Sequence, residues 1–544
     1  MRSISIRPIL VAAVLAASFV SGLSTAVAQT APTLTVNATS VRQAINPDIY
    51  GMLGGANQLN TALATELKIP NVRFGGDAAT RYNWTIGATC DGADFWFVCQ
   101  TFAPGPDSMI TTYRAANSGV HILMTIPIIP WISNTTAQTC SYPVSAYGAQ
   151  QSANVINGVN CGNGVTTGGT NIVDNNIALN MTANSTTIQH NWVSHFVSTY
   201  GNAASGGVNY YQLDNEPGGW SNTHRDAEPS QPDYSTITPL GESYATAIKA
   251  VDPTAKVFGP SDFEQFGWCV NNPSGSSTLC SGQYYLQQFA AYDAAHGSRS
   301  LDCFDEHYIV GDSSSIANSF TQVRNYWDPT YNPGTALNGL LGGPLEMIPR
   351  FQNWVATYYP GTCVAMSEYE VQHTGNSLAD ALVLADALGV FGYYGLQLAN
   401  LYDTVNSTDP EAYTFRLYRN YDGAGSQFGD TAVLSASSDA TESQLSVYGA
   451  TRSSDKALTI VVINKTASAI QTSLSIANFD STGSAAVYTY SNANLNKIVA
   501  GSPATVASNA IQFSFPGYSA TLFILTGGAK TAPAPPTGLA AQVQ

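Results

Sequence analysis

The chain has 544 residues, of which 44% are hydrophobic and only 10% are charged, and this composition excludes an intrinsically disordered protein. The formal net charge of −16 at pH 7 would repel phosphate backbones, so we expect no nucleic-acid partner. At roughly 150 residues per domain the length fits about three domains, or equally well one large (β/α)8 barrel with a smaller domain.

Residues 1–28 predict a secretory signal peptide. Arg2 and Arg7 precede an apolar run from Ile9 to Val20, and Ala26-Val27-Ala28 has the small-x-small spacing that signal peptidase cleaves. A membrane anchor would need about 20 apolar residues, and this run is shorter. We therefore expect a secreted product, extracellular or periplasmic if retained, that has no membrane association after cleavage.

Eight short apolar segments, rich in β-branched and aromatic residues, recur along residues 49–405. They are Ile49–Leu53, Asn71–Phe74, His121–Ile126, Asn209–Leu213, Lys256–Phe258, Leu301–Ile309, Cys363–Met366 and Tyr393–Leu398. The stretches between them are long enough for helices, such as Gly241–Val251 and Ser377–Leu388. Alternating strands and helices favour parallel β/α units, and eight units predict an α/β fold with a closed (β/α)8 TIM-like barrel.

The pattern changes after about Asn406. Strand-like segments without helical periodicity follow, separated by Gly, Ser, Asn and Asp; they are 445–448, 457–463, 485–490, 511–515 and 520–525. This pattern predicts an additional antiparallel β-sandwich over residues 406–528. An early strand at Leu34–Val41, within an N-terminal segment 29–48, would complete the sandwich. Residues 529–544 contain three prolines and predict a linker or tail.

The eight cysteines are an even number in a chain predicted to be exported, so we expect disulfides. None forms a C-x-x-C pair, which argues against a thiolate zinc site. Sequence alone does not fix the connectivity. Their order predicts three local bridges that crosslink loops after strands two, three and five, and one bridge between strands six and seven; the pairs are Cys90–Cys99, Cys140–Cys161, Cys269–Cys280 and Cys303–Cys363.

Polar side chains follow the fourth and seventh predicted strands. The fourth ends in Asp214-Asn215-Glu216-Pro217 and the seventh in Ser367-Glu368-Tyr369. Catalytic groups of (β/α)8 barrels lie at the carboxyl ends of the strands, although a capping amide and a solvated glutamate would give the same pattern. Two carboxylates across a barrel mouth are what glycoside hydrolysis requires. The sequence contains no G-x-S-x-G, P-loop or H-E-x-x-H motif that would indicate another chemistry.

Longer motifs surround these two carboxylates in chain order. They are Arg73-Phe74-Gly75-Gly76 with Thr80–Trp84, Leu213–Trp220 with Thr223-His224, Gly259-Pro260 with Gly267-Trp268, Leu301-Asp302 with Phe304-Asp305 and His307-Tyr308, Ser367-Glu368-Tyr369, and 415–423 with Phe428-Gly429-Asp430. Over roughly Leu34 to Leu525 the chain resembles glycoside hydrolase family 44. This ordered set is more specific than Asn-Glu-Pro alone, which many retaining barrel glycosidases share.

The resemblance implies that Glu216 is the general acid/base and Glu368 the nucleophile. These roles require that Glu216 is protonated in the resting enzyme while Glu368 is ionised. Arg73, at the end of strand two, is placed to hold Glu368 as an anion, unless it forms only a structural salt bridge. Asn215 would donate a hydrogen bond to the 2-hydroxyl of the sugar.

His307 and Tyr308 end strand six, next to the strand that carries Glu368. We expect one of them to hydrogen-bond a catalytic carboxylate, with Tyr308 preferred. The alternative for His307 is a core residue whose hydrogen bonds are satisfied internally.

Five tryptophans lie in segments assigned to the catalytic face, where indoles could stack on pyranose rings. They are Trp84, Trp131, Trp220, Trp268 and Trp327. For any single tryptophan a core position is an equally good interpretation. After strand eight stands Tyr402, where retaining barrel glycosidases frequently use tryptophan, and this difference leaves the preference among β-glucans open.

The resemblance further implies a retaining, endo-acting enzyme on β-1,4-glucans, including carboxymethylcellulose and xyloglucan. It implies no cofactor for catalysis and allows a structural calcium ion, although the sequence shows no contiguous calcium loop. The alternatives are a retaining β-mannanase or xylanase on the same scaffold, and a secreted glycan-binding protein without activity. We expect a monomer.

Overall fold

The computed structural model describes residues 31–54, 60–90, 96–173, 175–263, 266–270, 279–311, 313 and 315–530. From Pro32 onward these residues form one compact unit. The predicted signal peptide and nearly all of the predicted Pro-rich tail lie outside the described residues.

Among the described residues, eight parallel strands close into a barrel, as the sequence predicts. In chain order, strands one to eight are Gly51–Leu53, Asn71–Phe74, His121–Ile126, Tyr210–Leu213, Lys256–Phe263, Cys303–His307, Cys363–Tyr369 and Ala399–Leu401. Strand eight pairs with strand one through Asn400 and Gly51, which completes the ring. The carboxyl ends of these strands define the barrel mouth.

The prediction for the eighth strand is wrong. Tyr393 and Tyr394 belong to the helix Ser377–Tyr394, and the strand begins only at Ala399. The helix continues past Leu388 through Gly-Val-Phe-Gly-Tyr-Tyr and ends at Gly395, which caps it in the left-handed conformation at φ +69°. Apolar and aromatic residues at a helix end therefore resembled a strand.

The α-helices surround the barrel or lie in its loops. They are Thr61–Leu67, Asp77–Thr80, Pro106–Ala116, Val144–Tyr147, Thr186–Tyr200, Trp220–Thr223, Tyr234–Val251, Ser281–His296, Ile316–Gln322, Ala336–Leu341, Met347–Tyr358, Ser377–Tyr394 and Pro410–Arg419. The helix predicted from Gly241 begins earlier, at Tyr234, because the Asp233 side chain caps it by accepting from the backbone N–H groups of Ser235 and Thr236.

The loops after strands two and three form three small antiparallel sheets. Their strands are Ala88–Thr89, Val98–Thr101, Trp131–Ser133, Thr139–Cys140, Ala153–Ile156, Val159–Gly162 and Met181–Ala183.

The second sheet system is the predicted β-sandwich. Its strands are Leu34–Asn37, Gln43–Ala44, Thr431–Ser437, Leu445–Thr451, Leu458–Asn464, Ile470–Ala477, Phe479–Ser491, Asn494–Ala500, Ala504–Thr505, Ala510–Phe515 and Ser519–Ala529. The N-terminal strand Leu34–Asn37 joins it as expected, antiparallel to Thr431–Ser437 but parallel to Ile470–Ala477. The sandwich is therefore not purely antiparallel.

The segment after Asn406 does contain a helix, contrary to the expectation of strands alone. Pro410–Arg419 starts with proline at its first position, which suits a helix start, and packs against Ser377–Tyr394. It precedes the first long strand of the sandwich. Glu411 in its first turn and Arg416 and Arg419 in its last turn also favour a helix, so the sequence carries signals that the expectation of strands overlooked.

The helix Ser377–Tyr394, which we call the Ser377 helix, lies between barrel and sandwich. Among the described residues it is the one helix long and apolar enough to cross a membrane, but 83% of it is buried within the protein. Its Asp386 accepts a hydrogen bond from Tyr448 Oη at 2.8 Å and pairs with Lys465 at 2.6 Å. Because both partners belong to the sandwich, the contact between the Ser377 helix and the sandwich includes polar bonds as well as apolar packing.

All eight cysteines lie in described residues, and all are paired. The four disulfides are Cys90–Cys99, Cys140–Cys161, Cys269–Cys280 and Cys303–Cys363, as predicted. Cys303 and Cys363 face each other directly in the register of strands six and seven.

Candidate active site

Glu216 and Glu368 come together at the barrel mouth. Glu216 follows strand four, and Glu368 is the penultimate residue of strand seven. One carboxylate oxygen of each lies within 4.8 Å of the other and of a ring nitrogen of His307. Glu368 is only 6% exposed, whereas the Glu216 side chain is 18% exposed. Glu368 therefore lies deeper in the mouth.

The backbone around Glu216 adopts the left-handed conformation twice. Asp214 has φ +68° and Glu216 has φ +50°, and each such non-glycine residue costs roughly 1–2 kcal/mol. Specific bonds offset this cost. Buried Asp214 accepts from the backbone N–H groups of Ile128 and Ile129 at 2.6 and 2.9 Å, and the N–H of Glu216 donates to Ser261 O at 2.9 Å. The turn that presents Glu216 is thus fixed from both neighbouring strands.

Arg73 is the cation beside Glu368. Its guanidinium, fully buried, pairs with Glu368 Oε2 and donates to Asn215 Oδ1 at 2.6 Å and to Gln212 Oε1 at 2.7 Å. A Cβ at position 75 would collide with this guanidinium, which explains the glycine at Gly75. Because charge-assisted bonds hold it in one orientation, Arg73 stabilises Glu368 as an anion.

His307 bridges the acid to strand seven. Its Nδ1 lies 2.9 Å from Glu216 Oε1, and its Nε2 lies 3.0 Å from Ser367 Oγ. Ser367 Oγ donates its single proton to Asp305 Oδ2 at 2.6 Å, so it can only accept from His307 Nε2–H. Burial lowers the pKa of His307 to about 4, although the charge of Glu368 opposes this shift. The ring is therefore neutral. Gln212 Nε2, which can only donate, lies 3.4 Å from the same ring nitrogen, but the shorter contact with Ser367 Oγ favours the tautomer with the proton on Nε2.

When His307 is neutral and its proton is on Nε2, Nδ1 can only accept a hydrogen bond, so Glu216 must be the donor. The 2.9 Å contact is then the bond from a protonated Glu216 carboxyl to Nδ1. The network thus favours the acid form of Glu216, next to an ionised Glu368.

Of the two candidates on strand six, His307 is the residue that lies beside Glu216, so the preference for Tyr308 is corrected. Successive strand residues face opposite sides, and Tyr308 faces away from the barrel axis. Its hydroxyl accepts from Asn325 Nδ2 at 2.9 Å, and its ring stacks on Trp268 at a centroid distance of 6.0 Å.

Asn215 is held between two charged groups. Its Oδ1 accepts from Arg73, and its Nδ2 donates to Asp77 Oδ1 at 3.0 Å. These bonds fix the amide orientation, with the nitrogen on the side of Asp77.

Two of the five predicted cleft tryptophans are core residues. Trp220 is 1% exposed and Trp268 is fully buried. Trp268 packs against Phe351 as well as Tyr308, at 5.1 Å. Neither indole presents a face to a sugar in this structure, because the segments that follow strands four and five fold back onto the barrel.

Two others lie against helices. Trp84 donates from Nε1 to Ile188 O at 3.0 Å and stacks on His195 at 5.8 Å, so the helix Thr186–Tyr200 holds it. Trp327 lies between the end of the Ser377 helix and the sandwich. Neither is placed beside the paired carboxylates.

Trp131 and Tyr402 remain on the catalytic face. Trp131 is half-buried in the hairpin after strand three, opposite Ala183. Tyr402 directly follows strand eight and is 43% exposed. Its backbone N–H donates to Tyr369 O at 2.9 Å, next to Glu368. Tyr402 is therefore an exposed aromatic ring whose backbone is bonded to strand seven, which carries Glu368.

Several buried polar residues of the site were missed from the sequence. Gln212 orients Arg73, and Asp305 with Ser367 sets the proton of His307. Asp305 lies two residues before His307 on strand six, and Gln212 is the polar residue between Tyr211 and Leu213 in an apolar strand. A polar residue at such a position faces the barrel interior, and this signal could have identified them.

A second pair of buried acids supports the turn after Glu216. Asp262 Oδ2 accepts from the N–H of Gly218 at 2.9 Å and from Tyr234 Oη at 3.0 Å, and burial raises its pKa to about 7. The neighbouring Glu306 is fully buried, and burial raises its pKa well above its usual range. Both acids face outward from strands five and six, behind the acid turn.

Two clusters of the described residues could in principle ligate a metal ion, but neither fits calcium. They are Glu216, His307 and Glu368, and Glu370, His373 and Asp403. Each includes an imidazole, whereas calcium takes oxygen ligands. Hydrogen bonds to Asp380 and Asp403 raise the pKa of His373 to about 11, so this ring is an imidazolium paired with carboxylates.

The chain is similar to known glycoside hydrolases. The sequence profile of glycoside hydrolase family 44 matches residues 88–310. Endoglucanase A of Paenibacillus lautus is 29% identical over 471 residues, which are 80% of this chain and 63% of that protein, so the chain spans less than two thirds of this relative.

Solved structures extend the similarity. CelM2, a bifunctional glucanase-xylanase from a metagenome library, has a TM-score of 0.85 and 33% identity, covering 92% of this chain and 100% of CelM2. A Paenibacillus polymyxa xyloglucanase of family 44, solved with xyloglucan, has a TM-score of 0.76 and 24% identity, covering 91% and 100%, and shares the fold.

An eight-stranded barrel with two facing carboxylates after strands four and seven defines a barrel glycoside hydrolase. The motifs and the similarity to CelM2 narrow this class to a single family. It belongs to glycoside hydrolase family 44.

Proposed function

We propose that the protein is a secreted, retaining endo-β-1,4-glucanase that acts on cellulose derivatives and xyloglucan. The observation that carries this proposal is the short approach of Glu216 and Glu368, within 4.8 Å between carboxylate oxygens. Retaining enzymes place the two carboxyl groups about 5–5.5 Å apart, and inverting enzymes need about 6.5–9.5 Å to admit water. The distance supports direct attack by one carboxylate.

In the first step Glu368 Oε attacks the anomeric carbon. The bond between that carbon and the glycosidic oxygen breaks, and Glu216 transfers its proton to the leaving oxygen. The product is a glycosyl ester on Glu368. Arg73 supports this step because its guanidinium pairs with the Glu368 carboxylate and holds it in place.

In the second step Glu216, now a carboxylate, takes a proton from water. The water oxygen attacks the anomeric carbon and the ester bond to Glu368 breaks, which restores both residues. The lone pair on His307 Nδ1, 2.9 Å from Glu216, disfavours the ionised form of Glu216 and thereby favours this proton uptake. Asn215, held by Arg73 and Asp77, is placed to bind the 2-hydroxyl during both steps.

The names of similar proteins support β-1,4-glucans as substrates, since they include an endoglucanase, a xyloglucanase and a glucanase-xylanase. Because CelM2 is a glucanase-xylanase, xylan is the main competing substrate. The charge of −16 disfavours polyanionic polymers at low salt. The four disulfides and the N-terminal pattern support export, because disulfides persist in oxidising compartments.

A reducing-sugar assay tests the proposal on carboxymethylcellulose, xyloglucan, mannan and xylan, with Glu368→Gln as the inactive control. We expect release of reducing ends from the first two polymers, with a rapid fall in viscosity that indicates internal cleavage. Activity on mannan or xylan alone would assign the alternative specificity. Activity in the Glu368→Gln variant equal to the wild type would overturn the mechanism.

A further inference from the structure

A second concave surface lies between the barrel and the sandwich. Trp327, Tyr393 and Tyr394 line it from the barrel side, and Ser435 and Glu442 line it from the sandwich side. We call it the Trp327 pocket. Its volume is about 210 Å³, and its lining residues are distinct from those around the paired carboxylates.

Three of the four aromatic rings that line the Trp327 pocket, all except Tyr448, are only partly buried, so they form an aromatic surface open to solvent. Tyr393 and Tyr394 are 5.4 Å apart with their planes at 73°, which presents one ring face and one ring edge. Gln352 Nε2 donates to Tyr394 O at 2.6 Å and fixes the helix end that carries both rings. The aromatic wall is therefore preorganised.

The opposite wall is a rigid turn between two sandwich strands. Asp439 accepts from the backbone N–H and hydroxyl groups of Thr441 and Ser443, at 2.6–3.1 Å, and this fixes the turn. Glu442 adopts the left-handed conformation with φ +49° at its tip. The strained backbone places a carboxyl group against the aromatic wall.

The chemistry of the Trp327 pocket disfavours charged ligands. Among its described lining residues there is neither lysine nor arginine, so an anion has no partner. The carboxylate of Asp439 is used by its own turn, and burial raises the pKa of Glu442 to about 7, so this wall presents a cation with at most one partly ionised carboxyl group. Aromatic faces with neutral hydroxyl and carboxyl groups suit a neutral, hydroxyl-rich ring.

We propose that the Trp327 pocket is a second binding site for a β-glucan chain, which retains polymer on the enzyme while the barrel mouth cleaves it. This inference rests on the proposed function for the nature of the ligand. A pyranose ring would stack on Trp327 and Tyr394, and its hydroxyls would bond Ser435 and Glu442.

The test uses affinity electrophoresis through gels that contain soluble xyloglucan or hydroxyethylcellulose. All variants carry Glu368→Gln, so that the polymer stays intact. Trp327→Ala is expected to weaken retardation about three- to tenfold, as is fitting for the loss of one stacked ring. Tyr292→Ala, which removes a half-buried ring from the distant helix Ser281–His296, serves as the matched control and should match the parent.

Ala440→Arg is a second test variant. Its long side chain would block the rim of the Trp327 pocket, and Ala440 is exposed, so the substitution leaves the core unchanged. In the active enzyme, Trp327→Ala should lower the ratio of kcat/KM on polymer to kcat/KM on a short aryl cellobioside about three- to tenfold. Unchanged retardation for both Trp327→Ala and Ala440→Arg would overturn the proposal. Retention of an oligolysine peptide in place of glucan would overturn it in favour of a cation site.

These outcomes are separable from failure of the proposed function. If wild-type enzyme hydrolyses neither glucan in the reducing-sugar assay, the function is wrong. If it hydrolyses glucan and the rim variants bind polymer normally, only the second site is wrong.

Discussion

His307 Nδ1 lies 2.9 Å from Glu216 Oε1. This contact determines how His307 and Glu216 share a proton, because the other ring nitrogen makes its shortest contact with Ser367 Oγ, at 3.0 Å. The Ser367 hydroxyl donates its hydrogen bond to Asp305. A chain of three residues therefore holds His307 as an acceptor and Glu216 as an acid.

The first prediction concerns the pH dependence of His307. Its folded pKa of about 4 is below the ordinary 6.5, so the unfolded chain binds the extra proton first as pH falls. Stability from this group is complete above about pH 6.5 and is lost as pH falls towards 4. Activity should fall over the acid end of this range, because protonated His307 holds Glu216 in its ionised form.

Nitrogen-15 NMR of histidine-labelled enzyme measures this directly. At pH 6 we expect His307 to be neutral with its proton on Nε2, and His307→Gln identifies the signal among the seven histidines. A charged ring at pH 6, or a proton on Nδ1, would contradict the assignment.

The second prediction concerns Arg73. Arg73→Lys keeps the charge but cannot make the three bonds to Gln212, Asn215 and Glu368, so kcat should fall about 100-fold, or about 2.7 kcal/mol. Arg73→Met leaves Glu368 buried and unpaired, which should cost about 3–5 kcal/mol of stability and abolish activity. Urea unfolding and kcat on an aryl cellobioside measure both.

Arg416→Met provides the matched control, because Arg416 pairs with the partly exposed Glu66 outside the site, at 2.7 Å. It should cost no more than about 1 kcal/mol and leave kcat unchanged. Wild-type kcat in Arg73→Met would refute the role of Arg73.

The third prediction separates acid catalysis from nucleophilic attack. Glu216→Ala should lower activity on glucan about 10²–10⁴-fold, but much less for the first step of a dinitrophenyl cellobioside, whose leaving group needs no proton. Azide should then give a β-glycosyl azide with Glu216→Ala and an α-glycosyl azide with Glu368→Ala. An equal loss on both substrates would remove Glu216 from the acid role.

The fourth prediction distinguishes a core aromatic residue from a surface one. Trp268→Ala should destabilise the protein by about 3–5 kcal/mol and lower activity equally on polymer and short substrate, because the ring is buried beneath the site. Tyr402→Ala should leave the melting temperature unchanged and weaken polymer binding by about 0.5–1.5 kcal/mol. A stable Trp268→Ala with a polymer-specific defect would reverse these assignments.

Much of the barrel could be predicted from the sequence, because buried parallel strands are short apolar runs at regular spacing. The prediction of strand eight was wrong because the Ser377 helix is apolar on all sides, so the sequence at its end resembles a strand. The helix Pro410–Arg419 was missed although its sequence carries helix signals, with proline at the first position, an acidic residue in the first turn and two arginines in the last.

The positions of Glu216 and Glu368 followed from one rule, that polar residues at strand ends meet at the barrel mouth. No comparable rule predicts which tryptophans lie in the cleft and which lie in the core. Whether Trp220 or Trp327 faces solvent depends on how long loops fold, and this is set by tertiary contacts. The link from His307 through Ser367 to Asp305 likewise depends on the register between strands six and seven, which sequence does not encode.

Proton NMR of the first anomer released from a cello-oligosaccharide tests the central claim most directly. Double displacement through Glu368 retains configuration, so the β-anomer should appear first and the α-anomer should grow only by mutarotation. Initial release of the α-anomer would mean a single displacement by water. That result would contradict the assignment of Glu368 as nucleophile.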